Sequence, residues 1–337
     1  MNVLVTGATG LVGGAVVAEL LARGHQVRAL VRATSDLSNL DPARVELVRG
    51  DVLDAPSVKE ALRGCDAVIH SAGLADLRAD KKKLFAINAG GVEVVLGAAL
   101  AGGIQRAVLT SSTAVLGGSS VPRVMEEETT SSAETLGLHY FVSKKRGEDT
   151  AFDLAARGLP LVVVRPSFVL GPGDIYRSSA SLLAALVKRR IRVYVQGGAS
   201  YCDVRDVARG HVEALVRGRA GEAYILGGHN LTMDEMVGRV CRMAGVPPPQ
   251  RIPYALASAT TKVMGVLGAL GGPGPPFHPD LLRASALYTF VTSAKAQREL
   301  NYTIRPFDES VRDTLRWFVR SKMLRPTTSE LEAMEKG

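Results

Sequence analysis

The chain has 337 residues, 46% hydrophobic and 22% charged; that is enough for one large α/β unit, or for a nucleotide-binding domain with a smaller lobe, and it excludes disorder as the default. Its net charge of +8 is diffuse, with Lys81-Lys82-Lys83 the one clear run and no basic stripe interleaved with aromatic residues, so no nucleic-acid partner is expected. Cys65, Cys202 and Cys241 are too few and too scattered for a disulfide framework or a metal site, so the expectation is no metal and a reducing, cytoplasmic compartment.

The first predicted element is a strand at Asn2–Thr6, and with the chain opening straight into it no leader segment is expected. It runs into Gly7-Ala8-Thr9-Gly10-Leu11-Val12-Gly13 and a helix over Leu11–Arg23. Gly7 can take the positive φ of a tight turn, and Gly10 has no side chain to keep a pyrophosphate off the main chain. Gly13 lets the helix pack close to the strand. The free N–H groups at the helix start then face an anion. The spacing is G-x-x-G-x-x-G.

Further strands are predicted at Gln26–Val31, Val45–Arg49, Ala67–His70, Arg106–Ser111 and Leu161–Arg165, with helices at Ser57–Arg63, Lys83–Ala101 and Tyr140–Ala156. Near-continuous apolar strands alternating with helices imply a doubly wound parallel sheet, a Rossmann domain over residues 1–170, with ligands at the carboxyl ends of its strands. Lys81–Lys83 reads as the solvated start of a helix. After Pro166 the rhythm loosens: Gly171-Pro172-Gly173, Pro247-Pro248-Pro249 and the run Gly271–Pro276 punctuate a smaller substrate-binding lobe, residues 171–337, interleaved with the last strands of the sheet. No uncharged apolar stretch reaches membrane-spanning length; Ala255–Leu270 comes nearest and is broken by Lys262 and two glycines.

Two groups of residues suggest chemistry. Tyr140 and Lys144 are four apart in a helical stretch and share one face. A nearby ammonium stabilises a phenolate, bringing tyrosine closer to neutral acid–base work. Thr110-Ser111-Ser112 ends a strand, where a hydroxyl can hydrogen-bond a substrate oxygen while Tyr140 transfers the proton. Taken singly, a Tyr-x-x-x-Lys is often a surface pair and Ser112 suits a turn or helix cap. The second strand ends Arg28-Ala29-Leu30-Val31-Arg32, without the acidic residue that bonds a ribose 2′-hydroxyl. Arg32 there would stack on adenine and pair with a 2′-phosphate, aided by Thr34 and Ser35, unless it is a plain surface residue. The expected cofactor is therefore NADP(H), ahead of NAD.

As a set, Thr6 through Gly13, Gly50-Asp51-Val52, Ser71-Ala72-Gly73, Asn88 with Gly91, Thr110-Ser111-Ser112, Tyr140 through Lys144, Arg165-Pro166-Ser167, Gly171 through Asp174, Val204 through Ala208 and Thr292 through Leu300 resemble the extended short-chain dehydrogenase/reductase family along nearly the whole chain. The resemblance implies that Tyr140 is the general acid/base. It gives Lys144 the roles of lowering the tyrosine pKa and holding the nicotinamide ribose, and Ser112 that of polarising the substrate oxygen. Thr6, Gly7, Thr9, Gly10, Leu11, Val12, Ser71, Ala72, Gly73, Thr110, Pro166 and Ser167 would line the cofactor, with Asp51 and Val52 beside the adenine. Relatives commonly dimerise through the helices that correspond to Lys83–Ala101 and Tyr140–Ala156, so a homodimer is implied.

The substrate of such a site is a small molecule. Where nucleotide-sugar enzymes of the family carry polar groups, this chain has Leu116 before Gly117, Phe168 after Arg165-Pro166, and Ala199 before the Val204 motif. A pyrophosphate buried without cations would be costly, so a fairly hydrophobic ketone or alcohol is favoured, with Leu116 and Phe168 as substrate-binding residues. Gly173-Asp174-Ile175 and Gly221–Gly228 carry a likeness to bacterial proteins similar to dihydroflavonol reductases, hydroxysteroid dehydrogenases and hopanoid-associated sugar epimerases. The competing readings are a nucleotide-sugar epimerase or dehydratase with a tightly held NAD(P), and a non-catalytic dinucleotide sensor. Ala255–Leu270 with Pro275-Pro276-Phe277 reads as a cover over the substrate, a packed helix, or a peripheral membrane contact.

Overall fold

The β-rich apolar runs of the first half assemble into one sheet of seven parallel strands, because runs such as Ala67–His70 and Leu161–Pro166, buried at every position, need cover on both faces. A computed structural model describes residues 1–176, 181–269 and 278–336. We number the strands of this sheet β1 (Asn2–Thr6), β2 (Gln26–Val31), β3 (Glu46–Arg49), β4 (Ala67–His70), β5 (Arg106–Thr110), β6 (Leu161–Pro166) and β7 (Ala223–Leu226). Their spatial order is β7-β6-β5-β4-β1-β2-β3. The order reverses at β1, between β2 and β4, with Thr6 level with both Leu30 and His70. The crevice beyond the carboxyl ends of β1 and β4 is thus the topological switch point, where this architecture takes ligands.

Side-chain alternation along the strands builds two cores. Val3, Val5, Ile69, Val108 and Val162 pack under the helices Leu11–Ala22 and Val204–Arg217. On the other face Leu4, Val68, Leu109 and Val163 meet the helices Ala55–Leu62, Gly91–Ala101 and His139–Ala156. A second sheet has the order His229–Thr232, Gly198–Asp203, Tyr288–Val291, Val124–Met125, with Phe168–Leu170 paired to Gly198–Asp203. Its own core gathers Leu183, Tyr201, Met236, Phe307 and Phe318. The chain touches this lobe first at Val124–Met125, enters it again after β6, returns to the first sheet through Val204–Arg217 and β7, and leaves again.

Several element boundaries differ from those read off the sequence. The second helix begins at Ala55, before Ser57, because the Asp54 carboxylate accepts from the Ser57 N–H at 3.1 Å and caps it. Lys83–Ala101 is not one uniform helix. It begins at Lys81, capped by Asp80, runs as α-helix to Phe85, as π-helix over Ala86–Gly90, and as α-helix again over Gly91–Ala101. The wide turn holds buried Asn88, and such bulges concentrate at functional sites. Lys81, Lys82 and Lys83 are exposed. Among the described residues, Lys81–Ala101 is long and apolar enough to cross a membrane by length and composition. Here its Val92, Val95, Leu96 and Ala99 are buried in the core against the sheet.

Candidate active site

The glycine turn after β1 shows why its residues have no side chains. Gly7 has φ +67°, and a Cβ there would lie 2.6 Å from the Ala72 nitrogen. A Cβ on Gly13 would lie 2.1 Å from the Gly7 carbonyl oxygen. Gly10 donates to that same carbonyl at 3.0 Å and starts the Leu11–Ala22 helix without any side-chain cap. Its first N–H groups are therefore open to an anion. Ala72 N donates to Thr6 Oγ1 at 3.3 Å, which sets the Ser71-Ala72-Gly73 loop beside the turn. Asp51 is held by a turn of its own, accepting from Leu53 N at 2.9 Å, and Val52 packs near Gly91.

Arg32 is exposed at the end of β2, its N–H donating to Ser35 Oγ at 3.0 Å. Arg49 ends β3 level with Val31 and donates to the Arg32 carbonyl at 2.8 Å. Neither guanidinium has an ion-pair partner among the described residues. The second arginine was missed in the sequence because only strand pairing brings it to the first.

The structure brings Ser112, Tyr140 and Lys144 together. Ser112 follows β5, accepts from Ala114 N at 3.1 Å as the cap of the short helix Thr113–Leu116, and its hydroxyl is the group that counters burial at Tyr140. Lys144 Nζ donates to the Thr110 carbonyl at 3.2 Å. A Cβ on Gly73 would come within 3.0 Å of Nζ, so the loop after β4 touches the lysine. Burial pushes Lys144 down to about 8, opposed by the Glu148 carboxylate one turn on. Burial raises Tyr140, opposed by the Ser112 hydroxyl, and Lys144 Nζ is turned to the Thr110 carbonyl. Thr110 meets the site through that carbonyl, its hydroxyl lying 2.9 Å from His211 Nε2 on the other face of the sheet.

Further residues hold this cluster, among them Asn88 and Arg165 of the motif set and His70, which the sequence did not single out. Asn88 accepts from Leu74 N at 2.8 Å and donates to Leu74 O and to Ser143 Oγ, both at 3.0 Å; Ser143 Oγ donates in turn to the Tyr140 carbonyl at 2.8 Å. Arg165, just before Pro166 and Ser167 at the end of β6, grips buried Glu148 with two bonds of 3.0 and 2.7 Å. Fully buried His70 lies with Nδ1 2.7 Å from Thr6 Oγ1, and burial, then the Lys144 charge, hold it neutral down to about 3. His70 Nε2 and Ser111 Oγ are buried with no hydrogen-bond partner among the described residues. Glycines that no side chain could replace, an uncapped helix start and unpartnered polar atoms at the ends of β4 and β5 together fit a nicotinamide dinucleotide.

A cavity of about 430 Å³ is lined by Leu136, Leu138, Leu287, Tyr288 and Tyr254, with Arg283 and Gln196 among its polar groups; Ser112, Tyr140 and Lys144 are not in its wall. Leu136, Leu138 and Leu287 also pack in the apolar cluster that Tyr140 joins. Phe168 packs against Tyr201 with ring centroids 5.2 Å apart and planes tilted by 57°, and Leu116 is buried with Met125, Ile225 and Val291. Tyr254 begins the helix Tyr254–Ala269, on which Leu256 and Val263 are exposed. Leu270 and Pro275-Pro276-Phe277 lie outside the described residues.

Comparison with known proteins agrees with this geometry. The NAD dependent epimerase/dehydratase family matches residues 3–227. A putative dihydroflavonol 4-reductase from Synechocystis sp. is 33% identical over 93% of each chain. The crystal structure of gox2253 superposes with a TM-score of 0.84 at 34% identity, covering 96% of this chain and 99% of that one. That of PA4631, a nucleoside-diphosphate-sugar epimerase from Pseudomonas aeruginosa, gives 0.81 at 26% identity over 96% and 99%.

Proposed function

We propose that this chain, which belongs to the NAD dependent epimerase/dehydratase family, reduces the ketone of a fairly hydrophobic small molecule to an alcohol, or runs the reverse, with NADPH as its preferred cofactor. It is an NAD(P)-dependent oxidoreductase of the extended short-chain dehydrogenase/reductase type. A bound nicotinamide dinucleotide supplies the hydride. The residues around the glycine turn, with Asp51, Val52 and the Ser71–Gly73 loop, would hold it. Arg32 and Arg49 would face a 2′-phosphate, Thr110, Pro166 and Ser167 would line the inner wall, and Lys144 would meet the nicotinamide ribose.

Ser112 fixes the substrate oxygen. Tyr140, kept protonated by its burial, gives that oxygen its proton. The Lys144 ammonium steadies the phenolate left behind. The observation that carries the substrate class is the apolar cluster in which Tyr140 packs with Leu136, Leu138 and Leu287, three leucines that also line the cavity between the lobes. The reductase name of the Synechocystis relative supports the same reading. A homodimer through the helices Gly91–Ala101 and His139–Ala156 completes the proposal, with sedimentation velocity as its check.

The test is NADPH consumption against a panel of hydrophobic ketones, run beside thermal-shift titration with UDP-sugars. Turnover of ketones without a UDP-sugar shift is expected. A UDP-sugar shift with no ketone turnover replaces this reading with the epimerase one, which the PA4631 likeness keeps in view.

A further inference from the structure

The glycine turn is tied to the second lobe through Asn39, a half-buried residue in the segment between β2 and β3. Its carboxamide nitrogen has two N–H groups and uses both. One goes to the Thr9 carbonyl in the glycine turn at 3.1 Å, the other to the Gly173 carbonyl at 2.7 Å in the loop after Phe168–Leu170. A second tie lies alongside: Thr9 Oγ1 and the Tyr176 hydroxyl are 3.1 Å apart. The backbone is shaped for this contact. Gly173 has φ +98°, and a Cβ there would come within 3.4 Å of Asn39 Oδ1. On the other side a Cβ on Gly14 would lie 3.0 Å from Asn39 Cβ. The amide therefore sits in a slot between the first helix and the second lobe's loop, pinning both to the turn residue between Gly7 and Gly10.

We infer that Asn39 is a positioning residue whose carboxamide clasps the Gly171–Tyr176 loop against the glycine turn, so that a dinucleotide enters and leaves when this clasp opens. The inference rests on the dinucleotide reading given above. A loop pinned at Thr9 borders the place where the diphosphate meets the helix start. Because the bonds run from a neutral amide to carbonyls, the clasp is insensitive to pH near neutrality. Its strength is that of two or three ordinary hydrogen bonds, enough to slow exchange about tenfold without preventing it.

The experiment is stopped-flow measurement of association and dissociation of NADPH and of NADH, followed by dinucleotide fluorescence, on the full chain and on Asn39→Ala and Tyr176→Phe. A gate predicts that both rates rise, about tenfold for Asn39→Ala and about threefold for Tyr176→Phe. Dissociation within twofold of wild type in both variants overturns the clasp. So does faster dissociation with unchanged association, which makes Asn39 a simple binding contact. Should Asn39→Ala fail to fold, Asn39→Ser and Tyr176→Phe decide by the same rates. Wild-type protein that binds neither dinucleotide sinks the underlying cofactor reading as well, a result told apart from failure of the clasp alone.

Discussion

Burial raises the Tyr140 phenol's pKa, with the Ser112 hydroxyl opposing it. If that phenol is the proton donor, Tyr140→Phe removes the donor and leaves the fold intact. Turnover is expected to fall about 10²–10⁴-fold, with NADPH affinity by fluorescence titration unchanged. Retained activity would take Tyr140 out of the reaction. At the other end of the crevice, Arg32→Ala with Arg49→Ala is expected to weaken NADPH binding by at least about tenfold and NADH binding less than twofold, since only the former offers a phosphate. Titration of both dinucleotides reads this directly. The two buried histidines give a second residue-scale outcome. His70 and His211 stay neutral in the fold down to about 3 and about 4, whereas an unfolded chain takes up protons near 6.5. The unfolded state therefore binds more protons as pH falls below 6.5, and stability is lost through that window down to those values. By pH 5 each histidine removes about 2 kcal/mol, to be seen in urea unfolding at pH 7 and pH 5, with the loss reduced in His211→Asn. Glycines and the Tyr–Lys pair were readable because local spacing sets them. His70 and Asn39 were not, because each acts through a partner distant in sequence; Asn88 was singled out only by the motif set, without its partners.

Among the elements, the helix His139–Ala156 does the most to assemble the site. It places Tyr140, Ser143, Lys144 and Glu148 on successive turns facing the sheet and the Asn88 bulge. The bulge itself was invisible to a reading based on apolar period. Ala86–Gly90 continues the small and apolar pattern of its neighbours, and what widens the turn is the set of partners Asn88 finds in Leu74 and Ser143. The helix is anchored at its middle by Glu148 and Arg165, 3% and 9% exposed, in a bidentate pair. Arg165 also donates to the Glu127 carbonyl at 2.9 Å, which extends the anchor into the second lobe. Glu148→Gln leaves a buried guanidinium without its anion and is expected to destabilise the fold by about 3–5 kcal/mol in chemical denaturation. Replacing both partners by apolar residues should recover part of that loss, since the isolated charge is the larger penalty.

At the scale of the whole molecule, the sheet order follows from strands and helices that the sequence displays in turn. The join between the lobes does not. The chain crosses it at Phe168–Leu170, Gly198–Asp203 and β7, short segments whose partners lie far along the sequence. The cavity proposed to take the substrate lies on that join. Leu136 and Leu138 reach it from the segment before the Tyr140 helix, and Leu287 from the chain just ahead of the Tyr288–Val291 strand. A ketone bound there would displace water from leucines of both lobes, with hydrophobic gain of about 25 cal/mol for each Å² covered. A charge at Leu287 would have to stay hydrated, and would hold water where the apolar body of the substrate belongs. Leu287→Lys is therefore expected to lower kcat/KM for hydrophobic ketones by about 100-fold or more, mainly through KM, while the NADPH dissociation constant stays within twofold. Glycine turn, Arg32 and Arg49 lie away from this cavity, so a parallel loss of dinucleotide binding would place the defect in folding. Unchanged KM for the ketone would move the substrate out of the leucine cavity altogether, and with it the argument for an apolar substrate.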